Sequence, residues 1–420
     1  MRPEAVSARW FAIDPWIRGA VCLYLLMFAA TAARSVLQPH RGSVYPIWKL
    51  AGHDWRTGHD LYDETVGGDA TRFGYRYSPL VAGLFTVCDL MPDGVGNVGW
   101  RFLNLVSFVT ALAWWVNKGL PFALSPARRG LVFLLAAPLA MGSLNNGQVN
   151  LLLIALMLAA VTASALERWN VAALCLAASI MFKIYPVALA GLLILAFPRQ
   201  LGLRVLLALA LLAALPFLMQ DPEYVLRQYQ LWYDRVSHGD DYRRTWDLVA
   251  GYRDLWLLIR AWELPVNLHQ YTRLQLAGGG ACAALTLLAM LRPRKSRETL
   301  FVVLTLATTW MLLLGPAPES CTYVLAAPTL GVWLLHTANG RNRPAHYLAA
   351  CGYGLLILCV IAGTHSPLIR LYQASGLQPL GLILYGVGFV GSMGFRFLRP
   401  ARPLVAPDFD ASAPSLSQAA

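Results

Sequence analysis

The sequence predicts an all-α, polytopic helical membrane protein, and three observations carry that reading. Over 420 residues, 57% are hydrophobic and only 13% are charged, against about 25% charged in an ordinary soluble domain. Mean hydropathy is +0.51. Apolar runs near 20 residues recur from one end of the chain to the other, and only segments that satisfy their own backbone hydrogen bonds cross lipid in such number. A soluble globular enzyme, a disordered chain and a secreted disulfide scaffold are thereby excluded.

The apolar segments fall near 16–37, 78–92, 98–117, 129–144, 148–166, 170–183, 185–197, 201–219, 272–291, 299–314, 322–336, 345–364 and 378–398. Several are too short to cross about 30 Å of hydrocarbon alone, so a bundle of about 11–13 membrane segments is expected. It forms one domain over 1–402, interrupted by two long polar loops, 38–77 and 220–271. The Pro/Ser/Ala-rich stretch 403–420 is expected to be a disordered cytoplasmic tail. Met1–Arg9 lacks a short apolar region followed by a small-residue cleavage site, so the first apolar run reads as a retained span.

The net charge of +12 comes from 34 basic residues, of which only Lys49, Lys118, Lys183 and Lys295 are lysine. They sit in short clusters between apolar runs, the pattern of cytoplasmic loops and not of a nucleic-acid face. Placing the basic stretches 292–297, 341–343 and 396–402 inside, with Arg2, Arg9 and Arg18, puts 38–77, 220–271 and 315–321 outside. Both termini inside demands an even number of crossings, and thirteen segments are odd. Either 170–197 is one span broken at Lys183–Pro186, or a short segment between 78 and 144 is re-entrant. The seven cysteines lie mostly in apolar runs with no C-x-x-C, so no disulfide framework or zinc site is expected.

Polar residues that break this pattern are the site candidates. The first outer loop, from Tyr45 to Asp63, is aromatic and polar. It suits an amphipathic helix on the outer surface, with Asp54 and Asp60 as candidate general bases. His53 and His59 are six apart, which does not match a helical metal pair. Arg76 and Tyr77 stand at the mouth of the segment opened by Pro79, where a guanidinium suits a phosphate. Asn145, Asn146, Gln148 and Asn150 place four carboxamides within six residues, able to donate to and accept from sugar hydroxyls. Lys183, beside Tyr185 and Pro186, is a cation inside a 28-residue apolar run, where ionisable groups are costly. Arg243, Arg244 and Arg253 in the second outer loop suit a phosphate or pyrophosphate. Glu319, the lone acid between Thr299 and Asp408, is a further candidate carboxylate or a partner for Lys183.

Four of these pieces, in this order, resemble glycosyltransferase family 87 of the GT-C superfamily. They are Ala51-Gly52 with Gly58-His59-Asp60-Leu61-Tyr62, then Tyr75-Arg76-Tyr77-Ser78-Pro79-Leu80, then Asn146-Gly147-Gln148-Val149-Asn150, then Phe182-Lys183-Ile184-Tyr185-Pro186. The resemblance runs from about residue 16 to about residue 340. It implies a GT-C-like bundle with interfacial helices in the outer loops. It also implies an inverting, multi-pass hexosyltransferase of a bacterial cytoplasmic membrane, using a polyprenyl-phosphate sugar, typically mannose, and a lipid or glycan acceptor. The family's usual base is an Asp shortly after the first span. Here Gly42-Ser43-Val44-Tyr45 stand at that place. Asp54 or Asp60 has taken over, or Glu319 supplies the base, or activity is altered or lost.

The expected partners are therefore the lipid-linked donor, the acceptor and membrane lipids, with no nucleic acid, no metal and no cofactor. Two other readings stand beside this one. A transporter or flippase for a lipid-linked or small polar solute predicts a central cavity with access to both faces. A non-catalytic member of the fold is the other. An enzyme predicts that Asp54, Asp60, Lys183 and Glu319 converge on one cavity at the outer face.

Overall fold

The computed structural model describes residues 13–38, 42–62, 74–238, 248, 251–291, 296–338, 342–362 and 366–398. The described residues are helical, with no strand among them. The tail 403–420, the basic residues 292–295 and both Arg243 and Arg244 lie outside the described residues.

The helices in chain order are α1 Pro15–Leu37, α2 Tyr45–Thr57, α3 Pro79–Asp89, α4 Asp93–Trp114, α5 Pro126–Asn146 and α6 Asn150–Ala165. Then come α7 Trp169–Phe182, α8 Val187–Ala196, α9 Pro198–Ala214, α10 Pro222–His238, α11 Leu255–Ala261 and α12 Leu268–Met290. The last are α13 Ser296–Leu313, a 3₁₀ turn Ser320–Ala326 leading into α14 Ala327–Thr337, α15 Arg343–Ala362, α16 Ser366–Ala374 and α17 Leu377–Leu398. Their ends follow local chemistry. Asp14 accepts from the Trp16 amide and Pro15 opens α1. Asn267 and Gln270 close a reciprocal box on α12. Gly147, at φ 65°, ends α5 in the left-handed region.

Five helices are long and apolar enough to cross a membrane by length and composition: α1, α5, α9 extended to Leu218, α12, and α15 from Arg343 to Val360. The shorter ones are placed by their contacts. The Trp169 ring lies 5.4 Å from that of Phe197, and Arg204 Nε donates to Asn170 Oδ1 at 2.9 Å. The start of α7 therefore meets the end of α8, and the run 170–197 is a hairpin of two antiparallel helices. Lys183–Pro186 is its turn and not a break within one span.

The short helix α3 rises roughly 16 Å, half of a hydrocarbon core. It crosses α2 where a Cβ on Gly52 would come 2.3 Å from the Phe85 carbonyl oxygen. Its last residue, Asp89, pairs with Arg56 of α2 at 2.9 Å, so it stays at the end of the bundle where it begins. The segment near 78–92 therefore accounts for the odd one among the thirteen.

The described parts of 38–77, 220–271 and 315–321 do meet at one end, the site end. Val44 N–H donates to Asn146 O at 2.9 Å, and Arg253 N–H donates to Pro318 O at 2.8 Å. Helix α2 departs from its expected setting. Its apolar face, with Trp48 and Trp55, is buried against protein, not laid on lipid. Phe85, Trp100 and Val225 complete that second core, apart from the main core between the passes.

Candidate functional site

At the site end, four turns frame a cavity of about 190 Å³. They are the approach to α3, the α5–α6 turn, the α7–α8 turn and the stretch before the 3₁₀ turn. Each contributes one or two polar groups from the expected set: Arg76 with Tyr77, Gln148, Lys183 with Tyr185, and Glu319. Trp48 of α2, Trp232 and Arg235 of α10, and Tyr252 also line it, with apolar neighbours such as Ile47 and Phe182.

The carboxamide turn organises the cluster. Asn150 is fully buried and accepts from Lys183 Nζ at 2.9 Å through Oδ1. Its Nδ2 donates to Ser143 Oγ at 3.2 Å, and Ser143 in turn donates to Cys321 O at 2.8 Å. Gln148 Nε2 donates to Glu319 Oε2 at 3.0 Å, and Cys321 Sγ lies 3.8 Å from the same oxygen. Lys183 and Glu319 share the cavity without an ion pair within 4 Å. The ammonium is held by a neutral amide oxygen and the carboxylate by a neutral amide nitrogen. Glu319 remains exposed.

On the facing side, Arg76 Nη1 donates to Tyr252 Oη at 3.1 Å. The Arg76 carbonyl accepts from Trp232 Nε1 at 3.2 Å. Burial pushes the Tyr77 phenol up, Glu319 adds to the rise and Arg76 opposes it, so Tyr77 stays a neutral hydroxyl at physiological pH. One carboxylate open to solvent, facing an ammonium and a guanidinium, can take a proton from a hydroxyl while the cations hold a developing anion.

A model of glycosyltransferase family 87 matches residues 75–316, more than half of the chain. The chain belongs to this family. It is a glycosyltransferase with multi-pass membrane character. No curated protein matches the sequence. The matched stretch holds three of the four motifs that carried the resemblance. The fourth, Ala51 to Tyr62, precedes it, and Glu319 follows it.

The remaining candidates of this glycosyltransferase sit elsewhere. Asp54 and Asp60 do not line the cavity. Asp54 is buried within the first outer helix, and burial pushes its carboxyl above the ordinary range, with His53 and His59 opposing. Asp60 accepts from the Tyr62 amide at 3.1 Å and pairs with Arg227 at 3.3 Å. Asn145 takes a hydrogen bond from Arg34 on Oδ1 and from Arg101 on its carbonyl, the latter at 2.8 Å. Asn146 holds Val44 through its carbonyl. Asn145 thus ties the α5–α6 turn to α1 and α4, and the Asn146 backbone carbonyl ties it to the start of α2.

Arg253 does not reach the cavity either. Its Nη1 donates to Leu248 O at 2.8 Å, and its carbonyl accepts from Tyr323 at 2.5 Å. Burial lowers its pKa. It ties the stretch before α11 to the Glu319 turn.

Sequence reasoning passed over Trp48, Trp232 and Arg235. Trp232 and Arg235 stand at i and i+3 on an amphipathic helix, which places them on one face. That spacing was the available signal. Trp48 read as an interfacial aromatic because its burial depends on α3 folding back over it.

Proposed function

We propose that the enzyme transfers a hexose, mannose, from a polyprenyl-phosphate sugar to a lipid or glycan acceptor at the outer face of a bacterial cytoplasmic membrane. The observation that carries the proposal is the meeting of Glu319, Lys183 and Arg76 in one cavity at one end of the bundle. A solute carrier calls instead for a central cavity reached from both faces.

In this reading Glu319 is the base. Its carboxylate takes the proton of the acceptor hydroxyl as that oxygen attacks the anomeric carbon. The new glycosidic C–O bond forms while the bond between the anomeric carbon and the phosphate oxygen breaks, so configuration inverts. The electron pair leaves with the polyprenyl phosphate. Lys183 and Arg76 stabilise that charge as it develops. Gln148 holds the Glu319 carboxylate in place without neutralising it, which an ion pair would do.

The test is transfer of label by the purified protein in proteoliposomes supplied with total membrane acceptors. Radiolabelled polyprenyl-phosphate mannose is compared with a radiolabelled nucleotide mannose. Label moving to acceptor only from the lipid-linked donor supports the proposal. Direct use of the nucleotide sugar, with none from the lipid, contradicts it.

A further inference from the structure

Two buried polar groups at the cavity have no partner among the described residues. Gln148 is 6% exposed and Trp48 is 0% exposed, and both line the cavity. The Gln148 side chain is oriented by chemistry. Its neighbour is the Glu319 carboxylate, which only accepts, so the amide nitrogen faces it and Oε1 is left as an acceptor. That Oε1 meets no donor, and the indole Nε1–H of Trp48 meets no acceptor. Neither group escapes by rotating. The Trp48 ring is packed 4.7 Å from Phe85, 3.8 Å from Tyr77 and 5.6 Å from Trp100. Buried polar groups are almost always hydrogen-bonded, and exceptions call for an explanation.

We infer that Trp48 and Gln148 form a hexose-reading pair, with Trp48 Nε1–H donating to one sugar hydroxyl and Gln148 Oε1 accepting from another. This rests on the reading of the cavity as the transfer site. The chemistry selects a sugar over the other parts of a lipid-linked donor. A phosphate offers only acceptors and is repelled by an amide oxygen. A prenyl chain offers neither function. Neighbouring hydroxyls offer both. Because Gln148 also holds Glu319, the hydroxyls it reads lie beside the base. Two sources fit that place, the donor hexose and the acceptor hexose, and the shared chemistry is a hydroxyl pair on a pyranose ring.

The test measures equilibrium binding in lipid nanodiscs for wild type, Trp48→Phe and Gln148→Met. Trp48→Phe keeps the ring stack and deletes the N–H, and Gln148→Met keeps the length and deletes the amide. Unfolding midpoints confirm that each variant folds, and either variant alone decides the question. The probes are polyprenyl-phosphate mannose, polyprenyl phosphate, and methyl α-mannoside in the presence of polyprenyl phosphate. If the pair reads the donor, each variant narrows the preference for sugar-bearing over bare lipid about 3- to 10-fold and leaves bare-lipid affinity unchanged. If it reads the acceptor, the same loss falls on methyl α-mannoside.

Folded variants with both affinities unchanged overturn the inference, and water is then the partner of both groups. Wild type that binds neither lipid, yet binds the glycoside through these two residues, keeps the pair and sinks the lipid donor. Wild type that binds both lipids alike and no glycoside sinks the pair and leaves the phosphate-binding cavity standing.

Discussion

At the site end, the corner between α2 and α3 and the turn around Glu319 both set carboxylates near basic side chains, and they use them differently. In the corner Asp89, Asp93 and Asp60 each meet a cation. Asp89 takes Arg56 at 2.9 Å and lies 3.4 Å from His53. Asp93 takes Lys49 at 2.5 Å, and Asp60 takes Arg227 at 3.3 Å. These charges are balanced locally and fasten helices together, each half-exposed pair worth about 0–1 kcal/mol. Glu319 has a cationic cavity before it, and its bonding partners are all neutral: the Gln148 amide, the Cys321 thiol and the Thr322 backbone N–H that its side chain caps. The balance is left for a substrate to complete. A carboxylate in the expected loop is therefore not enough. In the proposed mechanism the base is the carboxylate whose charge no cation beside it balances.

The largest effect that would sharpen this contrast is on Lys183. Lys183→Met removes the cavity ammonium while leaving the corner untouched. It should lower turnover about 10²- to 10³-fold, the cost of losing one group that stabilises transition-state charge. Arg56→Ala in the corner should change turnover by less than about 3-fold. Steady-state rates in proteoliposomes compare the two. A larger loss from Arg56→Ala would move the chemistry into the corner.

The next effect concerns stability. A Cβ on Gly52 would press on the Phe85 backbone, which cannot rotate away as a side chain would. Gly52→Ala should cost about 1–3 kcal/mol through overpacking, read as a lowered unfolding midpoint. An unchanged midpoint would mean that α2 and α3 are less closely coupled than their crossing implies.

The smallest effect is on pH dependence. Burial raises the Asp54 carboxyl, so the fold favours its protonated form. That contribution is complete below the ordinary carboxylate pKa and is lost as pH rises through the raised folded value. Asp54→Asn should therefore match wild type at acidic pH, below the ordinary carboxylate range, and be the more stable of the two at neutral pH. A variant less stable at neutral pH would show that the corner needs the Asp54 charge.

Hydropathy made the helical class legible, because lipid admits few alternatives. The basic loops made the shared end of 38–77, 220–271 and 315–321 legible, since orientation follows Arg and Lys. The hairpin at 170–197 was not legible. A 28-residue apolar run reads alike as one broken span or two short ones, and only the contact of Trp169 with Phe197 separates them. Nor did residue type divide the carboxamides. Asn145 braces α1 and α4 and Asn146 holds Val44, while Gln148 and Asn150 serve the cavity, because Gly147 turns the chain between them. Lys183 and Glu319 were legible as misplaced charges. That they share a cavity without pairing depends on Asn150 and Gln148 standing as neutral partners.

The central claim is that Glu319, and neither Asp54 nor Asp60, is the base. Single-turnover transfer by Glu319→Gln, Asp54→Asn and Asp60→Asn, each folded and saturated with polyprenyl-phosphate mannose, tests it most directly. Glu319→Gln should lose about 10²- to 10⁴-fold, and the other two should keep near wild-type rates. Transfer surviving in Glu319→Gln and abolished in Asp54→Asn or Asp60→Asn would contradict it.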